Sequence, residues 1–174
     1  MGVDSRPATQ GRLDLLNAAT GTEAAKVLGP CCRWPGWGDA LAARRPFRDL
    51  DDLITNADAV LARLSDTQLV EVLRRYDPIG AAAPGDSQSA RWSHAEEDGI
   101  RRGDATHAAL LRAGADYRDR YGYTFLIAAA GLSGEQILGA LNERLGNDPA
   151  TELAISRAQL STKVHGRLRR LMAG

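Results

Sequence analysis

The sequence predicts an all-α protein, folded as a single compact helical bundle over its 174 residues. Three observations support this. Ser/Thr-x-x-Glu/Gln signatures, which satisfy two orphan backbone donors at a helix start, stand ahead of several apolar stretches. Apolar residues recur at three- and four-residue spacing. No segment keeps the period-two alternation of a half-buried strand, and no internal repeat occurs.

Taken in order, residues 1–10 read as a flexible N-terminus and residues 13–19 as a short helix. "TEAAKVL" follows, with Thr22 as N-cap and Gly29 as stop. "WGDALAARR" is a brief helix closed by Pro46. "DLDDLITNADAVLARL" places Leu53, Ile54, Val60, Leu61 and Leu64 on a buried face. "SDTQ", Ser65 to Gln68, is a capping box that opens a helix ending at Tyr76. "AAAPGDSQSA", Ala81 to Ala90, is the one clear long loop. "SHAE", Ser93 to Glu96, reads as a second capping box and "SGEQ", Ser133 to Gln136, as a third.

Between those two boxes "DATHAALLRAGADYRDRY" is helical. "YTFLIAAAG" is too apolar and too short for its period to decide, so it is either an inward-facing extended stretch or the start of a buried helix. The last helix is capped by Asp148, carries Pro149 in its first turn, and shows a stripe of Leu153, Leu160, Val164, Leu168 and Leu171.

Composition narrows the function. The chain carries 22 acidic and 22 basic residues, so no global field draws it to nucleic acid or to an anionic membrane. The longest apolar run, Phe125 to Leu132, is eight residues against the ~20 that a spanning helix needs. The polar start "MGVDSRPATQG" has no signal-peptide core, and Arg6 stands where a myristoylation site has Ser or Thr. Adjacent Cys31 and Cys32 suit neither a disulfide framework nor a zinc site. These features read as a soluble cytoplasmic protein.

Motifs for phosphate binding, a nucleophile elbow and H-E-x-x-H are all missing from the sequence. "SHAEED" sets His94 and Asp98 four apart, two facing ligands without a third, and a solvated helix start explains them as well. Each remaining candidate has an ordinary reading. Ser93 and Glu96 fit a cap, Glu97 suits a first turn, Arg167 a surface cation, Tyr76 a covered helix end, and Asp77 a turn before Pro78.

Taken together, the segments resemble the OHCU decarboxylase family (2-oxo-4-hydroxy-4-carboxy-5-ureidoimidazoline decarboxylase). "CCRWPGW" resembles its cysteine-tryptophan segment, and "RRPFRDLDDL" its Arg-Pro-Phe turn. "WSHAEEDGI" is similar to its Ser-x-x-Glu-Gln-x-Gly motif, and "YRDRYGYTFLIAAAG" to its Tyr-x-x-x-Phe-Gly-Phe stretch. "LGNDPATEL" and "KVHGRLRRL" resemble its closing Arg-Leu helix. The resemblance implies an all-α enzyme of urate conversion to allantoin, working without cofactor or metal on a small-molecule substrate, and a homodimer.

Carried over, Ser93 and Glu96 fall on active-site positions and Arg167 on a substrate-binding arginine. The backbone of Leu126, Ile127, Ala128 and Ala129 would line the pocket. Two positions depart. The family's His-Pro-x-Ile/Leu-Gly becomes "YDPIG", so its catalytic histidine falls on Tyr76 when counted from Gly80, or on Asp77 when prolines are matched. The family's glutamine is Glu97.

Loss of CO₂ leaves a carbanion that must be delocalised and then protonated on one face. A histidine with pKa ~6.5 shuttles that proton both ways near neutrality, whereas tyrosine, with pKa ~10, is a poor base there. Asp can serve as a base if burial raises its pKa. Glu97 exchanges an amide that donates for a carboxylate that only accepts, which favours a ligand rich in N–H groups. His94 and His165 are alternative imidazoles, both better read as solvent-exposed.

The expected function is therefore diverged acid/base chemistry on a small nitrogen-rich substrate: decarboxylation, cyclisation, dehydration or isomerisation in specialised biosynthesis. Catalysis would rest on Tyr76, Asp77, Glu96 and Glu97, and substrate binding on Ser93, Arg167 and residues 126–129. The alternatives are an authentic OHCU decarboxylase giving (S)-allantoin and a non-catalytic binding module.

Overall fold

A computed structural model describes residues 6–81 and 84–174. In order these form α1 (Arg6–Ala18), α2 (Gly21–Leu28), α3 (Trp37–Ala42), α4 (Leu50–Leu61), α5 (Asp66–Arg74), α6 (Gln88–Glu96), α7 (Ala105–Tyr121), α8 (Gly134–Arg144) and α9 (Pro149–Ala173). A 3₁₀ turn occupies Gly29–Cys31, and no strand occurs among the described residues, so the chain is all-α. No helix among them is long and apolar enough to cross a membrane. The chain divides into two units, one made of residues to Leu64 with Lys163–Gly174, the other of Ser65–Thr162.

In the first unit α2 packs on α3, and α1 touches both α2 and α4. α1 already begins at Arg6, so residues 6–10 are helical, and residues 1–5 lie outside the described set. The N-cap of α2 is Thr20, not Thr22: Glu23 lies three residues after Thr20 and closes the capping box there. Trp37, wholly buried, donates its indole N–H to the Leu28 carbonyl at 3.0 Å and so closes α3 onto the end of α2. Arg45 donates to the carbonyls of Leu16 and Ala19, both at 2.6 Å, and satisfies the end of α1. Asn17 exchanges both amide bonds with the Phe47 backbone, at 2.8 and 2.9 Å. Cys31 and Cys32 are buried and form no disulfide.

In the second unit the Ser65 and Ser133 capping boxes form as the sequence predicts, and α7 packs on α8. The Ser93 box does not form. α6 starts earlier, capped by Ser87, whose hydroxyl accepts from the Ala90 N–H at 3.2 Å. Buried Ala90 and Trp92 hold the "QSARW" residues in helix, which leaves Ser93 in the last turn and Glu97 at the C-cap. Residues 88–90 of the expected loop are thus helical, and residues 82 and 83 lie outside the described set. Residues 123–128 take the irregular, inward-facing alternative, with Tyr123 to Ile127 buried.

The second unit's core contains a charge pair. Arg144, at the end of α8, donates to Glu152 Oε1 from Nε at 2.8 Å and from Nη2 at 2.6 Å. Glu152 is completely buried, accepts from the Tyr117 hydroxyl, and takes the Asn147 amide at 3.0 Å on its second oxygen. Arg144 also lies over the Phe125 ring, 4.4 Å from its centroid, and donates to the Leu126 carbonyl at 2.8 Å. Burial first, and then the bond to Glu152, push the Tyr117 hydroxyl far above the usual tyrosine range. Asp148 caps α9 as expected, accepting from the Thr151 N–H at 3.0 Å, which with the Thr151 hydroxyl holds its carboxyl below the ordinary range.

Candidate functional site

The corner after α5 is built around one peptide unit. The chain leaves the helix at Arg75, Tyr76 turns inward to 6% exposure, and Gly80 adopts φ +79°, a left-handed conformation that glycine enters without penalty. The Gly80 N–H donates to Glu97 Oε2 at 3.1 Å. Its carbonyl accepts from Arg102 Nη1 at 3.2 Å and pairs with His107 Nε2 at 2.9 Å. His107 Nδ1 itself accepts from the Gly103 N–H at 3.0 Å, so the ring proton sits on Nε2 and points at Gly80. A carboxylate, a guanidinium and an imidazole therefore hold the glycine that follows Tyr76 and Asp77.

This arrangement revises the reading of Glu97. It is not a first-turn carboxylate complementing a helix dipole. Glu96 and Glu97 stand at the negative end of α6, where the dipole disfavours an anion. Glu97 offsets that cost through Gly80. Glutamine at this position would keep an oxygen acceptor for the same N–H, so Glu97→Gln should retain the contact and Glu97→Ala should lose it. Amide hydrogen exchange at Gly80 checks this: exchange should speed up by about ten-fold in the alanine variant and stay near the parent in the glutamine variant.

Glu96 lines a separate cleft of about 660 Å³ with Asp98, Gly99, Arg101, Ser133 and Glu135, although only 7% of its surface is exposed. Gly99 is required here, because a Cβ would stand 2.0 Å from the Leu132 carbonyl oxygen. Its own carbonyl accepts from the Gly134 N–H at 3.0 Å, joining the end of α6 to the start of α8. Tyr76 lines a different cavity, of about 210 Å³. Ser93, Asp77 and Glu97 are half-buried and line neither of the two.

The backbone at residues 126–129 is partly committed. Arg144 takes the Leu126 carbonyl, Gln159 accepts from the Ala128 N–H at 2.8 Å, and the Leu132 N–H donates to the Ala129 carbonyl at 3.0 Å. The N–H groups of Ile127 and Ala129 make no hydrogen bond among the described residues. Unpaired donors in a largely buried segment are what a carbonyl-bearing ligand would satisfy.

Arg167 belongs to the first unit, where it is wholly buried and donates to the Pro30 carbonyl at 3.3 Å, not exposed as a surface cation would be. His165, in the same unit, lies 2.7 Å from Asp58 and is partly buried. His94 is exposed as expected, and Asp98 follows the end of α6 rather than sharing its face. The residues that sequence reasoning missed are His107, Arg102, Arg144, Glu152 and Gln159. His107 alone had a local signal, three residues after the Asp104 cap, and that signal says nothing of Gly80.

The OHCU decarboxylase family profile matches residues 17–169. The chain belongs to this family. It is 30% identical over 123 residues to a 2-oxo-4-hydroxy-4-carboxy-5-ureidoimidazoline decarboxylase of Amia calva, covering 69% of this chain and 70% of that one. It is 23% identical over 143 residues to a uric acid degradation bifunctional protein of Bacillus sp. (strain TB-90), covering 81% of this chain. The match spans only 28% of that relative's length. A crystal structure of OHCU decarboxylase in the presence of (S)-allantoin superposes with a TM-score of 0.70 at 20% identity, covering 83% of this chain and 95% of the other. That likeness bears on the fold.

Proposed function

We propose that this chain is a diverged OHCU decarboxylase-family enzyme that performs acid/base chemistry on a small, nitrogen-rich substrate other than OHCU. The observation that carries the reading is the corner at residues 76–80. Tyr76 and Asp77 stand where the family motif has histidine, and the imidazole beside this corner, His107, spends one ring nitrogen on Gly103 and the other on Gly80. It has no ring nitrogen left for a proton shuttle.

Asp77 and Glu96 are then the groups that move protons, with Tyr76 as a hydrogen-bond donor. Glu97 fixes the corner and adds negative charge. Ser93 and the N–H groups of Ile127 and Ala129 orient the ligand. Carboxylates attract N–H groups and backbone amides attract carbonyl oxygens, so a ligand carrying both matches the set. Decarboxylation, cyclisation, dehydration and isomerisation all need only an oriented substrate, a base and a delivered proton.

Freshly generated OHCU tests the reading. CO₂ release should run at the uncatalysed rate, and the allantoin formed should be racemic. Turnover at enzymatic rates with one hand of allantoin in excess would overturn it. The chain would then be an authentic OHCU decarboxylase, the reading that the Amia calva relative favours.

A further inference from the structure

The cavity that Tyr76 lines has, apart from Tyr76 itself, a composition the proposed function does not use. Its wall includes Arg74, Arg118, Gly122, Tyr123 and Thr124, and no acidic residue. Each cation has a structural role of its own. Arg74 donates from Nε to the Gly122 carbonyl at 2.8 Å and from Nη1 to exposed Glu71 at 2.6 Å. Arg118 stands in the last turn of α7, where a cation complements the helix dipole.

Thr124 has no such explanation. It is 5% exposed and lines the cavity, yet its hydroxyl makes no hydrogen bond among the described residues. Its oxygen is not one of the fully buried unpaired side-chain atoms, so it keeps some access to solvent and is able to donate. Arg118 likewise forms no ion pair or hydrogen bond through its side chain among the described residues. Arg74 Nη2 lies beside Gly122, where an added Cβ would be 3.7 Å away. Its N–H groups are not taken up by Glu71 or by the Gly122 carbonyl.

We infer that this cavity is a binding site for a small oxyanion. Two guanidinium groups and one hydroxyl supply donors of the geometry that a carboxylate or a phosphate accepts. A volume of about 210 Å³ admits such a group and excludes a drug-sized ligand. The site is distinct from the Glu96 cleft, and Tyr76 of the proposed acid/base set stands in its wall.

An NMR titration of the full chain tests it, with sodium phosphate and sodium acetate added in separate arms and sodium chloride at matched ionic strength as control. Saturable shifts of the Gly122 and Thr124 amides are expected in at least one of the first two arms and not with chloride. The arm that saturates tells phosphate from carboxylate chemistry. Arg118→Ala, at an exposed position, should keep the parent's unfolding midpoint and weaken binding about ten-fold. Thr124→Val should weaken it too. Shifts that fail to saturate, that chloride reproduces, or that persist at parent affinity in Arg118→Ala would overturn the site.

Discussion

Glu152→Ala is expected to destabilise the protein by about 3–5 kcal/mol, because it leaves the Arg144 guanidinium buried without its counter-charge. Arg144 is 8% exposed at its side chain and Glu152 not at all. Removing the carboxylate also strips the Tyr117 hydroxyl and the Asn147 amide of their acceptor. Since domains are stable by only ~5–15 kcal/mol, the urea midpoint should fall by a large fraction of its value. Glu152→Gln, which keeps an oxygen acceptor, should lose clearly less. An equal loss in both variants would mean that the charge, which glutamine also removes, and not the acceptor oxygen or the shape holds the core.

The same network predicts an alkaline limb. Burial raises the Tyr117 pKa above its unfolded value of ~10, so the unfolded chain gives up that proton first. The stabilisation is complete below that pH and is lost as pH rises beyond it. Tyr117→Phe should flatten the fall of the unfolding midpoint above about pH 10.

What the sequence made legible follows from the range of each interaction. Ser65, Ser133 and Asp148 were readable because a cap is satisfied within three residues. Ser93 shows the limit of that logic: the same spacing occurs at the far end of α6, because Ala90 and Trp92 are buried and pull the helix start back to Ser87. Leu153 and Leu171, two members of the apolar stripe that the sequence predicts on α9, are only half-buried, while Glu152, Ser156 and Arg167 are wholly buried. Polar residues enter a core only when a partner meets them, and Arg144 is eight residues from Glu152. Gly80 and His107 are 27 residues apart, and no periodicity links them. The candidate residues were found through resemblance, whereas the contacts that fix Gly80 and the Leu126 carbonyl needed the fold.

The corner itself offers the second large effect, a gain of function. Two registers place the missing histidine, one at Tyr76 and one at Asp77, and the structure separates their consequences. Tyr76 is buried and lines a small cavity with Arg74, Pro78 and Arg118, so Tyr76→His would put an imidazole into that wall and exchange a large buried ring for a smaller polar one. Asp77 is half-buried and stands directly before Pro78, three residues from the Gly80 peptide that Glu97 holds. Asp77→His combined with Glu97→Gln restores the motif's imidazole and amide while leaving an acceptor for Gly80. This double variant is expected to raise OHCU decarboxylation by about 10²–10⁴-fold over the parent, the usual contribution of a positioned general acid/base. Tyr76→His should leave the rate at the parent level. The measurement is the initial rate of OHCU loss, its pH profile and the optical rotation of the allantoin. A gain should bring a new titration near pH ~6.5, the mark of an imidazole taking up and returning the proton. Gain in Tyr76→His alone would assign the other register. No gain in either, with Gly80 exchange unchanged, would show that the carbanion is not handled at this corner, and the proposal for Asp77 would fall with it.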